Sequence, residues 1–448
     1  MYRRVIELAA EVLEAAEHIK PSQYAKREVL ARKGLLGTKL DEWVTAIMYA
    51  VYKRLGIIDE IIRLCFGDEE YLRTVPCFVR QLYRIIVNEV YFDRRSETKM
   101  EEITRKILSS RGYAKYAEDT RRLIHFAHTF VPPECVDIFD EIFWKLNFPK
   151  WFAKRLAKLL GSVEEAVKLI KIWNSKAPLS IRVNSLKTTP EELKERLWKK
   201  YRVYIEYGKF TKYILKIYGS IPFNRCEEFE QGLFIVQDEA SALVGYILGP
   251  RPGETVLDLC AAPGGKTTHI GELMKNTGKI VAVDVSKLRM ERLIWQCKRL
   301  DINIVEPVLL DGRQVPARYG QIFDKVLVDA PCTSSGTIRK NPEVRWLLKE
   351  EEISEYAKLQ KELLVAGLEA AKHGAVVVYA TCSVFVEENE QVIKYVLDKG
   401  LAELEEIAWP EGVSRGITEI DEEMKKCIRL WTHLHDTTSF FVAKLRKT

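Results

Sequence analysis

The spacing of hydrophobic positions along this chain changes character twice. From Met1 to about Trp144 they recur every three or four residues. Val5, Leu8, Ala9, Val12, Leu13 and Ala16 make one such stripe, and Leu40, Trp43, Val44, Ile47, Met48, Val51 and Leu55 make another. Gly37, Gly67, Arg94-Arg95-Ser96 and Pro132-Pro133 punctuate the stripes, so the pattern predicts an all-α region. Between Glu141 and Glu230 the elements become short and mixed. The spacing predicts helices over Trp151–Leu160, from Ser162, and over Pro190–Lys200, with strands over Leu179–Val183, Tyr201–Tyr207 and Tyr213–Ile217. From Thr255 onward apolar runs alternate with amphipathic stretches. Predicted strands are Thr255–Leu259, Ile280–Val283, Val305–Leu309, Lys325–Val328 and Ala375–Ala380, and the helices between them include Lys266–Lys275, Ser286–Leu300 and Ser354–Lys372. Such alternation means a doubly wound parallel α/β sheet covered on both faces, to which Ser439–Leu445 adds a last strand.

Size and composition refine this outline. At 448 residues the chain is too long for one core, and the changes of period divide it into domains at 1–142, 143–229 and 230–448. Hydrophobic residues make up 47% and charged residues 30%, the balance of an ordinary soluble protein. No apolar run approaches the ~18 residues needed to cross a bilayer. Met1-Tyr2-Arg3-Arg4 leads into a helix carrying Glu7, Glu11 and Glu14, unlike a secretory signal. Nine cysteines without a C-x-x-C pair indicate neither a metal site nor a disulfide framework, so a reduced, cytoplasmic compartment is the default expectation, and a monomer is expected alongside it.

The net charge of +6 is unevenly spread. From Lys150 to Ser220 there are seventeen Lys and Arg against six Glu and no Asp, a local balance of +11 that leaves −5 for all the rest. A basic segment with interleaved aromatics suits a phosphate backbone and its bases; a solvated lysine-rich surface is the alternative.

Candidate chemistry begins at Thr255–His269, where a strand runs into Cys260-Ala261-Ala262-Pro263-Gly264-Gly265-Lys266 and then a helix. Small residues let backbone approach a ligand closely, and the helix start presents unpaired N–H groups to it. Neither G-x-G-x-x-G nor G-x-x-x-x-G-K-[ST] is present, which disfavours a nicotinamide dehydrogenase and a P-loop enzyme. Asp258, Asp284, Asp311 and Asp329 close the first four predicted strands, and ligands in such sheets sit beyond those ends. Cys332, in Asp329-Ala330-Pro331-Cys332, follows the fourth strand; Cys382, in Thr381-Cys382-Ser383, follows the fifth.

These motifs resemble the RNA cytosine-C5 methyltransferases of the Sun/Nop type. The resemblance covers about Phe148 to Lys447 well, through Cys260–Lys266, the two cysteine motifs, Gln231–Ser241 and Ile181–Lys187, and the helical front region resembles a NusB-like domain loosely. It implies a Rossmann-like S-adenosylmethionine-dependent catalytic domain, preceded by a small α/β RNA-binding module and an all-α NusB-like domain. It implies that Cys260, Ala261, Ala262, Pro263, Gly264, Gly265 and Lys266 hold the methionine end of S-adenosylmethionine, Asp284 the ribose and Asp311 the adenine, with Arg289 and Asp329 at the cofactor's border. Cys382 would be the nucleophile that adds to cytosine C6, Cys332 the helper for proton loss and release, and Asp329 the contact to the base edge. Arg182, Asn184, Lys187, Arg339 and Lys340 would contact RNA, although Arg182 and Asn184 would equally serve as turn and capping residues at a strand end. The expected partner is ribosomal RNA ahead of transfer RNA, with no membrane and no metal. A methyltransferase for protein or small molecules and a non-catalytic RNA-binding scaffold are the rival readings. Two departures stand out: Ser334 replaces the first glycine after the Pro-Cys-Ser/Thr motif, and Ser439 replaces the glycine that usually opens the last strand.

Overall fold

A computed structural model of the chain describes residues 1–19, 22–68 and 70–448. Contacts divide it into two compact units. One comprises Met1–Asn174 with Asn341–Leu347, the other Ser175–Lys340 with Leu348–Thr448.

The first unit is entirely helical among its described residues. The stripes read from the sequence become the buried faces of Tyr2–His18 and Lys39–Phe66, which share one core with Cys77–Val87, Glu97–Ser110 and Ala117–Thr129. Helices end where the sequence supplies punctuation: Gly67 takes a left-handed φ of 70°, and Asp137 caps Ile138–Leu146 in a capping box. Lys150–Leu160 and Val163–Asn174 belong to this unit. Segment 341–347 does too. Trp346 packs where a side chain on Gly56 would collide with it, and its indole N–H reaches the Lys53 carbonyl. Arg345 is fully buried, donates to Asn147 and Asn174, and is pushed down to about 9 by that burial.

The second unit holds two sheets. In the smaller, β1 (Leu179–Val183), β2 (Tyr204–Tyr207), β3 (Ile214–Tyr218) and β4 (Phe234–Val236) pair antiparallel in the order β2-β3-β1-β4. Ile181, Val183, Leu215 and Ile217 share one face with Leu193 and Leu197 of helix Pro190–Tyr201. By alternation Ser180, Arg182 and Lys216 point to the other face.

The larger sheet contains β5 (Thr255–Asp258), β6 (Lys279–Asp284), β7 (Val305–Leu309), β8 (Phe323–Asp329), β9 (Ala371–Thr381), β10 (Ala402–Glu405), β11 (Ser414–Arg415), β12 (Ile428–Leu430) and β13 (Phe440–Lys447). Its order is β11-β12-β13-β9-β8-β5-β6-β7, with β10 also on β13. Strands β5 to β9 are parallel, as expected. The rest of the sheet is antiparallel, which the sequence did not announce, because β10, β11 and β12 are too short to show a period. Both faces are covered. Leu257, Val281, Val283, Val326 and Val328 meet helices Glu350–Ala370 and Glu390–Asp398, while Val256, Ile280 and Leu327 meet Glu239–Leu248 and Gly265–Leu273. Chain order reverses at β5, between β6 and β8, so the crevice beyond those strand ends is where such a sheet binds ligands.

Candidate active site

The strand-end acids and the glycine loop are built around that reversal. Asp284, only 5% exposed, accepts hydrogen bonds from the Ala262 N–H at 3.1 Å and the Ser286 N–H at 2.9 Å. Arg289 donates to the Ala262 carbonyl and lies 3.8 Å from Asp284, so acid and guanidinium grip the loop from both sides. Gly264 carries a φ of 102°, and a Cβ there would come within 3.1 Å of Leu293, so this position requires glycine. Lys266 pairs with Asp329 at 2.6 Å, tying the loop to the end of β8. Asp311 follows β7 and is held by Arg313, whose guanidinium lowers the acid's pKa.

Asp258 fits a cationic ligand. It is fully buried, one carboxylate oxygen accepts from the Thr267 hydroxyl at 2.7 Å, and the other has no hydrogen-bond partner. Burial pushes this acid up to about 7, with Asp329 adding to the rise. An orphaned buried carboxylate oxygen beside the glycine loop matches the α-ammonium of S-adenosylmethionine, and the surrounding acids suit the ribose and adenine donors.

Strand pairing also brings the two cysteines together. Asp329 is in register with Ala380, the Ala330 N–H reaches the Ala380 carbonyl at 3.1 Å, and just beyond the two strands the Sγ atoms of Cys332 and Cys382 stand 3.3 Å apart. The Ser334 hydroxyl is 3.7 Å from the Cys382 sulfur. Hydrogen bonding from Cys332 and then from Ser334 stabilises the Cys382 thiolate and lowers its pKa against the opposing effect of burial. The same contact, together with burial, drives the Cys332 thiol well up. The two sulfurs thus share one hydrogen bond, which favours a single thiolate in the pair. Ser334 has a φ of 56°, a left-handed conformation that accounts for glycine being usual at this position.

Two expected RNA contacts, Arg182 and Asn184, are corrected by what these side chains already bind, whereas Lys187 stays partly exposed. Arg182 is 1% exposed and Asn184 fully enclosed, so neither can touch RNA. Arg182 pairs with Glu272 at 2.8 Å, donates to the Gly265 carbonyl at 2.8 Å and the Thr268 hydroxyl at 3.1 Å, and also bonds Gln237. Asn184 donates to the carbonyls of Gly232 and Leu300, both at 2.9 Å. Lys187 donates to the carbonyls of Gln231 and Arg299 and pairs with Asp301 at 2.5 Å. The motif thus caps the end of helix Lys287–Leu300 and clasps the helix that follows the glycine loop. Alternation along β1 places Arg182 on the second face of the small sheet; that this face is covered is invisible in the sequence. Arg339 pairs with Asp436 at 2.9 Å and Lys340 with Asp238 at 2.5 Å, on the chain that leaves the Cys332 loop.

One further buried group carries almost no sequence signal. Glu388 lies fully buried behind both cysteine loops, with Gln360, Thr333, Ser335 and Ser383 around it. It belongs to the run Glu387-Glu388-Asn389-Glu390, too acidic to suggest a core.

Much of the chain matches known proteins. Residues 245–446 match the family described as 16S rRNA methyltransferase RsmB/F, and residues 148–219 match its ferredoxin-like domain. The chain is 36% identical over 317 residues to the tRNA (cytosine(49)-C(5))-methyltransferase of Pyrococcus abyssi, spanning 69% of this chain and 99% of that one. It is 27% identical over 390 residues to the "Probable ribosomal RNA small subunit methyltransferase B" of Bacillus subtilis, spanning 87% of this chain and 82% of the relative. The crystal structure of PH0851 superposes with a TM-score of 0.89 at 36% identity over 99% of each chain. The chain belongs to the RNA (cytosine-C5)-methyltransferase family of the Sun/Nop type, whose members are S-adenosylmethionine-dependent enzymes.

Proposed function

We propose that this enzyme forms 5-methylcytosine in ribosomal RNA through a covalent adduct between Cys382 and cytosine C6. The 3.3 Å approach of Cys332 to Cys382 beside the glycine loop carries the reading. S-adenosylmethionine supplies an electrophilic methyl group at this site. The Cys382 thiolate adds to C6, the ring's electron pair moves to C5, and C5 would take that methyl group as the methyl–sulfonium bond breaks and the neutral thioether, S-adenosylhomocysteine, leaves. A proton then leaves C5, the electrons return to the ring, and the C6–S bond breaks to restore the thiolate. Cys332 would assist proton loss and release once Cys382 is engaged and Cys332 has itself given up its proton to solvent. Asp329, held by Lys266, is placed to accept from the amino group on the base edge. The loop from Cys260 to Lys266, Asp284, Arg289 and Asp311 hold the cofactor, and Asp258 offers its unpartnered oxygen to the cofactor's ammonium. The base must leave its stack to reach the thiols, and in this reading Arg339 and Lys340 would contact the incoming RNA.

Ribosomal RNA is favoured by how far each relative extends. The B. subtilis relative accounts for 87% of this chain, the P. abyssi tRNA enzyme for 69%. The functional division is 1–142 as a NusB-like RNA-binding domain, 143–229 as a basic RNA-binding module and 230–448 as the catalytic domain. The reading includes a cytoplasmic location, and no described helix is long and apolar enough to cross a membrane. Bisulfite sequencing of ribosomal and transfer RNA, from cells with and without the gene, tests the substrate. Loss of a protected cytosine in ribosomal RNA is the expected result; loss confined to transfer RNA would contradict it.

A further inference from the structure

The Glu388 carboxylate accepts hydrogen bonds from the residue that follows each cysteine. One oxygen accepts from the Thr333 N–H and from Gln360 Nε2, each at 2.9 Å. The other accepts from the Thr333 hydroxyl at 2.6 Å and from the Ser383 hydroxyl. Thr333 is joined to Cys332 and Ser383 to Cys382. Gln360, on helix Glu350–Ala370, also donates to the Pro331 carbonyl at 2.9 Å, just before Cys332. Ser335 closes the ring, within 3.1 Å of the Thr333 hydroxyl and 3.2 Å of the Ser383 hydroxyl, while accepting from the Val384 N–H at 3.0 Å.

The carboxylate is itself held. The Tyr379 hydroxyl donates to the Glu388 carbonyl at 2.6 Å, and the neighbouring Asn389 donates to the Ser383 carbonyl at 3.0 Å and accepts from the Thr381 hydroxyl at 2.5 Å. Glu388, Thr381, Ser335 and Asn389 are all fully buried. An acid is expensive to bury, and here four donors converge on it, none of them a basic side chain. Packing alone would have been served by an apolar residue. What a carboxylate adds is two acceptors that bridge two loops and one helix.

We propose that Glu388 is a positioning residue that fastens the Cys332 and Cys382 loops together and sets the separation of the two thiols. The role rests on the two-thiol chemistry proposed above, but one of its tests needs neither RNA nor S-adenosylmethionine. With diamide as oxidant, the two thiols form a disulfide as they give two electrons and two protons to the diazene bond, which becomes a hydrazine. The rate of that closure reports thiol separation directly.

In the full-length enzyme, Glu388→Ala should lower both the diamide closure rate and kcat by about 100-fold, the scale of a ~1 Å misplacement, with KM for RNA and for S-adenosylmethionine unchanged. Glu388→Gln keeps the acceptor for Thr333 N–H and Gln360, and its amide can donate to hydroxyls that rotate, so it should restore both rates to within about 3-fold. If Glu388→Ala fails to fold, the pair Thr333→Val with Ser383→Ala removes the same bridge and should slow closure similarly. Closure that is unchanged in the folded bridge-breaking variants would overturn the proposal. So would a Gln variant as impaired as the Ala variant, which would assign Glu388 a charge or proton-transfer role. Slowed closure with normal methylation would instead contradict the two-thiol chemistry and leave the positioning role standing.

Discussion

Two polar stretches, Ile181–Lys187 and the pair of loops carrying Cys332 and Cys382, follow strands of the same unit and look alike as sequence. Each mixes charged or nucleophilic side chains with small residues. In the first, the three long polar side chains are consumed: Arg182 by Glu272, Gly265 and Thr268, Asn184 by two carbonyls, Lys187 by a helix end and Asp301. In the second, the flanking residues are consumed while the two sulfurs are left facing each other. Saturated polar groups build structure; groups held by saturated neighbours remain available for chemistry.

Breaking the first stretch should cost stability, and breaking the second should cost activity. The largest stability effect is expected for Arg182→Ala, which strands the buried Glu272 carboxylate. Burial already holds that acid above its ordinary pKa even with the guanidinium beside it. A loss of about 3–5 kcal/mol in denaturant unfolding is expected, because removing one partner leaves an uncompensated buried charge. Loss of RNA affinity at unchanged stability would restore Arg182 as an RNA contact and erase the contrast. Cys382→Ala should do the reverse, abolishing methylation while unfolding shifts by less than ~1 kcal/mol.

Asp258 sharpens the comparison, because one of its buried carboxylate oxygens is left unsaturated and carries the cost of it. Its folded pKa of about 7 lies above the ordinary value of 3.8, so the folded state binds the proton more tightly than the unfolded chain. Its contribution to stability is therefore fully present below about pH 4 and is lost as pH rises through about 7. Relative to wild type, Asp258→Asn should become progressively more stable across that window, by up to about 4 kcal/mol from the ~1.4 kcal/mol carried by each pKa unit. S-adenosylmethionine should meanwhile bind wild type more tightly as the carboxyl ionises, and bind the variant weakly at every pH. A stability difference independent of pH would remove the titration from Asp258.

Two substitutions should have smaller effects. Asn184→Ala leaves two carbonyls without their donor and should cost about 1–3 kcal/mol. Ser334→Gly should change stability by no more than ~1 kcal/mol, because relief of the left-handed backbone is offset by the added freedom of the unfolded chain. The variant should also raise the pH at which Cys382 becomes reactive to an alkylating reagent, since one hydrogen bond to the thiolate is gone.

The parallel strands, the glycine loop, the four terminal acids and both cysteines are legible in the amino-acid sequence, because each rests on a local pattern: an apolar run, a cluster of small residues, an acid at a strand end. What stays hidden there depends on which surfaces become covered. Arg182 looks solvent-facing until a helix from ninety residues away is laid against it. Glu388 looks like part of an acidic surface until Thr333 and Ser383 close over it. The antiparallel strands β10 to β12 are too short to carry a period of their own. The basic excess from Lys150 to Ser220 is likewise partly spent internally, since Lys187, Lys200 and Lys216 pair with acids outside the segment.

The most direct test of the central claim separates the two thiols by what each leaves behind. Incubated with substrate RNA and S-adenosylmethionine, the Cys332→Ala enzyme should accumulate a denaturation-resistant protein–RNA species that nuclease collapses, because addition by Cys382 persists while assisted release is lost. Cys382→Ala and the double variant should form none. An adduct in Cys382→Ala and none in Cys332→Ala would exchange the two roles and contradict the account.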